Sequence, residues 1–168
     1  MAGALIVTAE IGERDFAWLD QLRRANYPVE RNQVAAHLTV FHALPPSAGL
    51  ELRRRLAEVA RYATPRASIE GLMDLGGGVA FRIVSPDLDS IREELADELH
   101  GLLSAQDAGG WRPHITIQNK VTTKAARLLI TSLERQFIAR PLSIPALGLY
   151  RYENGPWTRL GIYRFRGA

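Results

Sequence analysis

The sequence contains no cysteine. That absence removes a disulfide framework, a thiol nucleophile and every thiolate-ligated zinc or iron–sulfur site. It also has no apolar run near the roughly 18 residues a membrane span requires, so no membrane partner is expected. The opening segment lacks basic residues ahead of its short apolar run and meets Glu10 and Glu13 at once, unlike a secretory leader. A cytoplasmic protein is the default expectation. The Gly-x-Ser-x-Gly elbow of a serine hydrolase is missing. Lysine is scarce: of 21 basic residues only Lys120 and Lys124 are lysines, leaving 19 arginines. The planar arginine fork suits phosphate, but a coding bias produces the same skew. A net charge of +3 does not decide whether nucleic acid is a partner.

What is present describes an ordinary globular chain. Its 168 residues, 46% hydrophobic and 23% charged, predict a single domain spanning residues 1–168. A chain of this size buries roughly two thirds of its unfolded surface and needs no staples. Short elements alternate along it. Ala4–Ala9 reads as a buried strand and Glu13–Arg24 as a helix through Phe16, Leu19 and Leu22. A strand from about Ala36 to His42 ends at Pro45-Pro46. Ser47 then caps a helix over Leu50–Tyr62, and a strand over Arg66–Leu75 meets Gly76-Gly77-Gly78.

The order then recurs. A strand runs through Val84, and Pro86-Asp87 opens a helix carrying Leu88, Ile91, Leu95, Leu99 and Leu102. A Gly109-Gly110 loop leads to the strand Pro113–Asn119. Thr122 or Thr123 caps a helix with Leu128, Leu129, Leu133 and Phe137 apolar. Strands near Leu142–Tyr152 and Trp157–Phe165 are joined by Asn154-Gly155, a hairpin signal. Strand-helix-strand-helix-strand thus occurs twice, over about 4–75 and 79–152, with one final strand at about 157–165. That reads as an internal duplication. The alternation alone also fits a parallel α/β sheet, so secondary structure leaves the fold open.

The middle strand of each half carries the same pattern: His37-Leu38-Thr39-Val40 and His114-Ile115-Thr116-Ile117, 77 residues apart. Residues i and i+2 of a strand share a face. His37 therefore lies beside Thr39 and His114 beside Thr116, with aliphatics facing the core. A single His-x-Thr carries little weight, since Thr favours strands. Two copies at equivalent positions, in a chain with four histidines, carry much more. By the same alternation Phe41 joins the His37 face, and Arg112, Gln118 and Lys120 join the His114 face. His42 falls on the opposite face unless a bulge intervenes, and His100 reads as a surface or packing residue.

Two imidazoles with ordinary pKa near 6.5 can act as general base and general acid. Two hydroxyls between them can hold the non-bridging oxygens of a phosphoryl group. The set suits in-line displacement at phosphorus, with both limbs of a bell-shaped pH–rate profile near neutrality. It lacks the third ligand of a hydrolytic zinc site, so no metal is expected and chelators should have no effect. Which histidine is base and which is acid stays open.

Twin His-x-Thr-x motifs, one in each half of a duplicated chain, resemble the 2H phosphoesterase superfamily, which includes the 2′-5′ RNA ligase-like and cyclic phosphodiesterase proteins. Two segments carry the likeness: Ala36-His37-Leu38-Thr39-Val40-Phe41-His42-Ala43-Leu44-Pro45 and Trp111-Arg112-Pro113-His114-Ile115-Thr116-Ile117. The resemblance implies an α+β fold with two pseudo-symmetric lobes of mainly antiparallel sheet, outer helices and a central cleft. It implies metal-independent cleavage or transfer at a 2′,3′-cyclic or 2′-5′ phosphodiester of a nucleotide or RNA end, with no cofactor. His37 and His114 would be catalytic, and Thr39 and Thr116 would bind phosphate. Loops at 26–35, 106–111 and 150–157 would set the substrate, with Tyr27, Trp111, Tyr150 and Trp157 available to stack a base. A monomer is expected. The rival reading is a module that binds RNA termini or a phosphorylated small molecule without turnover.

Overall fold

The computed structural model describes residues 3–167. In chain order the elements are β1 (Leu5–Glu10), α1 (Glu13–Asn26), β2 (Leu38–Leu44), α2 (Gly49–Val59), β3 (Ala67–Asp74), β4 (Val79–Val84), α3 (Pro86–Glu98), α4 (Ala105–Ala108), β5 (His114–Gln118), α5 (Thr123–Glu134), β6 (Arg140–Leu142), β7 (Ala146–Tyr152) and β8 (Trp157–Arg164). The strands form two four-stranded sheets, ordered β2-β1-β7-β8 and β5-β4-β3-β6. Every pairing within them is antiparallel. The protein is α+β, and the parallel alternative is excluded.

The lobes do not coincide with the halves of the sequence. β3, from the first half, pairs with β4 of the second, while β7 returns to pair with β1. Each sheet is completed by strands from the other half, and each keeps its His-x-Thr strand at one edge. The expected single strand near Leu142–Tyr152 is two strands in different sheets. The chain crosses over at Ser143-Ile144-Pro145, where proline supplies no ladder donor. The Ser143 amide instead donates to Asp15 Oδ2 at 2.9 Å.

Local chemistry accounts for most boundaries. β1 is buried from Leu5 to Ala9 and has both backbone edges paired, with β2 on one side and β7 on the other. β4 alternates at Phe81, Arg82, Ile83 and Val84, with Arg82 and Val84 outward. α3 starts where Ser85 Oγ accepts from the Leu88 amide at 3.0 Å, with Pro86 in the first turn. Thr122 caps α5 in the same way. Ser47 does not cap α2: a 3₁₀ turn over Pro46–Ala48 precedes that helix, which begins without a side-chain cap. Leu128 also departs from expectation, standing 65% exposed on α5. The β7–β8 hairpin turns at Asn154 (φ 59°) and Gly155 (φ 128°), the positive-φ pair that matches strand twist.

One continuous core joins both sheets, with Val7, Leu38, Phe41, Leu56, Phe81 and Ile115 among its members. Each such side chain contributes about 1.5–3 kcal/mol when fully buried. α1 lies against β5, and β2 and β5 approach one another across the boundary between the sheets. This brings the two His-x-Thr strands together. Among the described residues, no helix is long and apolar enough to cross a membrane.

Candidate active site

The two motifs share their anchoring as well as their sequence. His37 Nδ1 donates to the carbonyl of Ala35 at 2.8 Å, and His114 Nδ1 donates to the carbonyl of Arg112 at 2.7 Å. A carbonyl only accepts, so each neutral ring carries its proton on Nδ1 and leaves Nε2 as a free acceptor. Thr39 and Thr116 are half-buried beside them. The strands then break regularity at the same place. In β2, Thr39 faces Thr8 and Phe41 faces Val7; in β5, Thr116 faces Ala80 and Gln118 faces Val79. Each pair takes two steps on the motif strand against one on its neighbour, which is a β-bulge at Val40 and at Ile117.

Donors from elsewhere in the fold occupy the outward backbone of both motif strands. Trp111 Nε1 donates to the Thr39 carbonyl at 3.0 Å, and Arg23 Nη1 donates to the Thr116 carbonyl at 3.0 Å. The segment before the second motif thus bonds the first motif, and the helix before the first motif bonds the second. Arg92 Nε adds a bond to the Val40 carbonyl at 3.0 Å. The Asp107 carboxylate accepts from the amides of His42 and Ala43 and from His42 Nδ1. Burial alone would raise the Asp107 pKa, but these bonds outweigh it and hold the group below its ordinary value. The Thr39 and Val40 carbonyls and the His42 and Ala43 amides are thereby satisfied by side chains, which closes this edge of β2 to pairing with another chain.

Electrostatics distinguish the two histidines. Burial lowers the His37 pKa from its ordinary 6.5 to about 4, opposed by the Ala35 carbonyl. The charges of Arg23, His42 and His114 lower it further. Trp157 crowds the same ring, with centroids 4.7 Å apart at 60°. Arg23 is 4% exposed, and its pKa is lowered by burial. Its bonding partners are neutral: Asn32 Oδ1 at 2.8 Å, the Thr116 carbonyl, and the Tyr27 ring beneath it at 4.2 Å. A cavity of about 460 Å³ opens beside His37, walled by Phe16, Tyr150, Pro156 and Trp157, with Thr8 and Glu10 also lining it.

The sequence model of the 2′-5′ RNA ligase superfamily matches residues 11–156 of the chain. The chain belongs to that superfamily. Solved structures agree on the fold. The TT0787 protein of Thermus thermophilus superposes with a TM-score of 0.67 at 17% identity, covering 98% of both chains. E. coli LigT in complex with 3′-AMP superposes with a TM-score of 0.62 at 14% identity, covering 98% of this chain and 99% of LigT. A structure described as a phosphoesterase gives 0.59 at 17% identity, covering 97% of this chain and 98% of its own. No curated protein sequence matches the chain.

Within this superfamily member the sequence-derived candidates divide. His37, Thr39, His114 and Thr116 are placed as the strand pattern requires. Tyr150 and Trp157 line the cavity, and Tyr27 supports Arg23. Phe41 and Gln118 do not share the histidine faces. The two bulges turn these equivalent residues inward, to 0% and 6% exposure, and the expectation from regular alternation is corrected for both. The same bulge removes the ground for placing His42 opposite His37. Arg112 is exposed, and Lys120 stands exposed in the turn after β5 with φ 62°. Trp111 contacts the backbone of the first motif. Glu10 and Arg23 were not legible as site residues, although Arg23 follows Leu19 at the helical spacing of a buried face. An arginine on such a face was the available signal.

Proposed function

We infer that the protein is a metal-independent phosphoesterase that opens a 2′,3′-cyclic or 2′-5′ phosphodiester of a nucleotide or an RNA end. The observation that carries this reading is the duplicated anchoring: two imidazoles, each tied through Nδ1 to the carbonyl two residues back, each with a threonine alongside. Complexes of LigT with 3′-AMP, NADP+ and ATP make a nucleotide ligand the natural choice. The donor set requires no metal, since two imidazoles accompanied by hydroxyls supply proton transfer and anion binding by themselves.

In hydrolysis of a cyclic phosphate, His37 Nε2 takes a proton from water as its oxygen forms a bond to phosphorus. The bond from phosphorus to one ribose oxygen breaks, and that oxygen takes a proton from the protonated His114. Thr39 and Thr116 donate to the non-bridging oxygens. A monoester results, and proton exchange with solvent resets both rings. His37 is assigned as base because its crowded ring stays neutral at physiological pH. This revises the expectation of two limbs near neutrality.

The test is incubation of the purified protein with 2′,3′-cyclic nucleotides and 2′-5′-linked dinucleotides, with and without EDTA. Turnover insensitive to EDTA and lost in a His37→Ala, His114→Ala double variant is expected. Activity removed by EDTA overturns the metal-free mechanism, and saturable binding without turnover replaces the enzyme by a binding module.

A further inference from the structure

β8 carries charge that proton transfer at the histidines does not use. From Asn154 to Ala168 the sequence holds three arginines, Arg159, Arg164 and Arg166, and no acidic side chain. Arg159 and Arg164 are separated by an odd number of steps, so a regular strand would put them on opposite faces. β8 is not regular. Arg159 pairs with Tyr150 and Gly161 with Leu149, two steps against one, which is a bulge at Leu160. Arg53 Nη1 donates to the Leu160 carbonyl at 3.3 Å. Beyond the bulge Ile162 pairs with Gly148 and Arg164 with Ala146. Tyr150, Gly148 and Ala146 alternate along β7 and share one face, so Arg159 and Arg164 share it too. The register of β1 with β7 adds Thr8, opposite Gly148, and Glu10, opposite Ala146. Thr8, Glu10 and Tyr150 line the cavity beside His37. The two arginines therefore stand on the cavity's face of the sheet.

All three arginines are exposed, and among the described residues none makes an ion pair. The acids around them are engaged elsewhere. Glu10 accepts from Thr8 Oγ1 at Oε2 and from the Tyr150 hydroxyl at both oxygens. Gly148 leaves the room for this, since a Cβ there would fall 2.6 Å from both Glu10 Oε2 and Thr8 Oγ1. On α2, Glu51 and Glu58 accept from Arg54 and Arg55. Arg159, Arg164 and Arg166 line a single concavity of about 510 Å³, against Ala57 and Ala60 of α2. Like charges gathered without counter-charges repel one another, and a bound anion relieves that repulsion.

We propose that this face of β8 holds the sugar–phosphate backbone of an RNA strand whose reacting end lies at the histidines, with Arg159, Arg164 and Arg166 on its phosphates. The substrate is then an oligonucleotide. The proposal deepens the phosphoesterase reading and rests on it for the position of the reacting end. The planar arginine fork matches phosphate oxygens in pairs. Continuity with the site decides the ligand: Trp157, the first residue of β8, packs on His37, and Arg159 stands opposite Tyr150. Aromatic rings followed by cations along one strand supply both stacking for bases and charge for the backbone. An acidic protein segment would use the charges alone.

The test uses uridine 3′-monophosphate and a uridine tetramer and octamer ending in 3′-phosphate, with binding followed by calorimetry between about 50 and 200 mM salt. Turnover is read as kcat/KM on the same series ending in 2′,3′-cyclic phosphate. The octamer should bind about tenfold or more tightly than the mononucleotide at low salt, as charge-assisted contacts allow. Its log–log salt slope should be steeper by about 2, the value for three phosphates on a single strand, and kcat/KM should rise with length. A triple Arg159→Gln, Arg164→Gln, Arg166→Gln variant should erase the gain with length, with far-UV circular dichroism confirming the fold. Arg164→Gln alone should flatten the slope by about 0.7. An octamer that binds no tighter than the mononucleotide overturns the proposal, as does a gain that survives in the triple variant. Equal affinity for polyglutamate assigns the arginines to an acidic protein partner and overturns it too. Length-dependent binding lost in the triple variant, without turnover of any cyclic-ended ligand, supports the groove and overturns the phosphoesterase reading instead.

Discussion

The Trp111 indole N–H donates to the Thr39 carbonyl at 3.0 Å, tying the segment that leads into the second motif to the strand that carries the first. Arg23 returns the relationship through the Thr116 carbonyl. Each threonine thus has its backbone fixed by a side chain from the run-in to the other motif. Catalysis by two proton-transfer groups depends on their separation, and these two bonds cross the boundary that sets it.

Trp111→Phe keeps aromatic packing and removes the donor. The lost bond should cost about 1 kcal/mol, a drop in Tm of about 2–4 °C for a domain of this size. Turnover should fall further than that loss of stability implies, because the geometry between motifs is relaxed. Thermal melts beside kcat for a cyclic nucleotide make the comparison. Equal activity in the variant would show that the bond supports the strand alone.

His37→Ala and His114→Ala should each lower kcat by about 10²–10⁴, the range for a general acid or base. The double variant should be little worse than the more damaging single one, since residues acting as a unit are not additive. The circular dichroism spectra should be unchanged. Multiplicative losses would mean that the two rings act independently.

The motif pairing, the hairpin at Asn154-Gly155 and most element boundaries were readable because they rest on local periodicity and turn chemistry. Three things were not. The exchange of β3 and β7 between lobes is a choice of partner, and strand periodicity carries no partner information. The bulges at Val40 and Ile117 break alternation by one residue without a Gly or Pro to announce them, so regular alternation puts Phe41 and Gln118 on the wrong face. Glu10 gains its place from Thr8, Gly148 and Tyr150; the last two lie far along the chain and meet it only through antiparallel pairing of β1 with β7. What strand patterning could supply was the chemistry of the motifs, not the walls around them.

The pH profile of kcat/KM reports the groups of the free enzyme. A base must be unprotonated to act, so activity dependent on His37 is lost as pH falls through its pKa. With that value lowered from 6.5 to about 4, the acid limb should lie about 2.5 pH units below that of an ordinary imidazole. Trp157→Ala admits water to the ring and should move the limb upward toward the ordinary value of about 6.5. A wild-type limb already at that ordinary value would place the base elsewhere.

Gln118 occupies the second-motif position equivalent to Phe41, turned inward by the bulge at Ile117. Its Oε1 is buried without a hydrogen-bond partner among the described residues. An unpaired buried acceptor costs about 1–3 kcal/mol, whereas methionine has similar length, no such requirement and a flexible chain that adapts to irregular space. Gln118→Met should therefore raise stability by about 1 kcal/mol, a gain in Tm of about 2–4 °C. If the residue serves packing alone, KM for a cyclic nucleotide should not change. A variant that melts lower would mean that the amide is satisfied in solution. A raised KM at unchanged Tm would return Gln118 to the substrate face and contradict the inward turn imposed by the bulge.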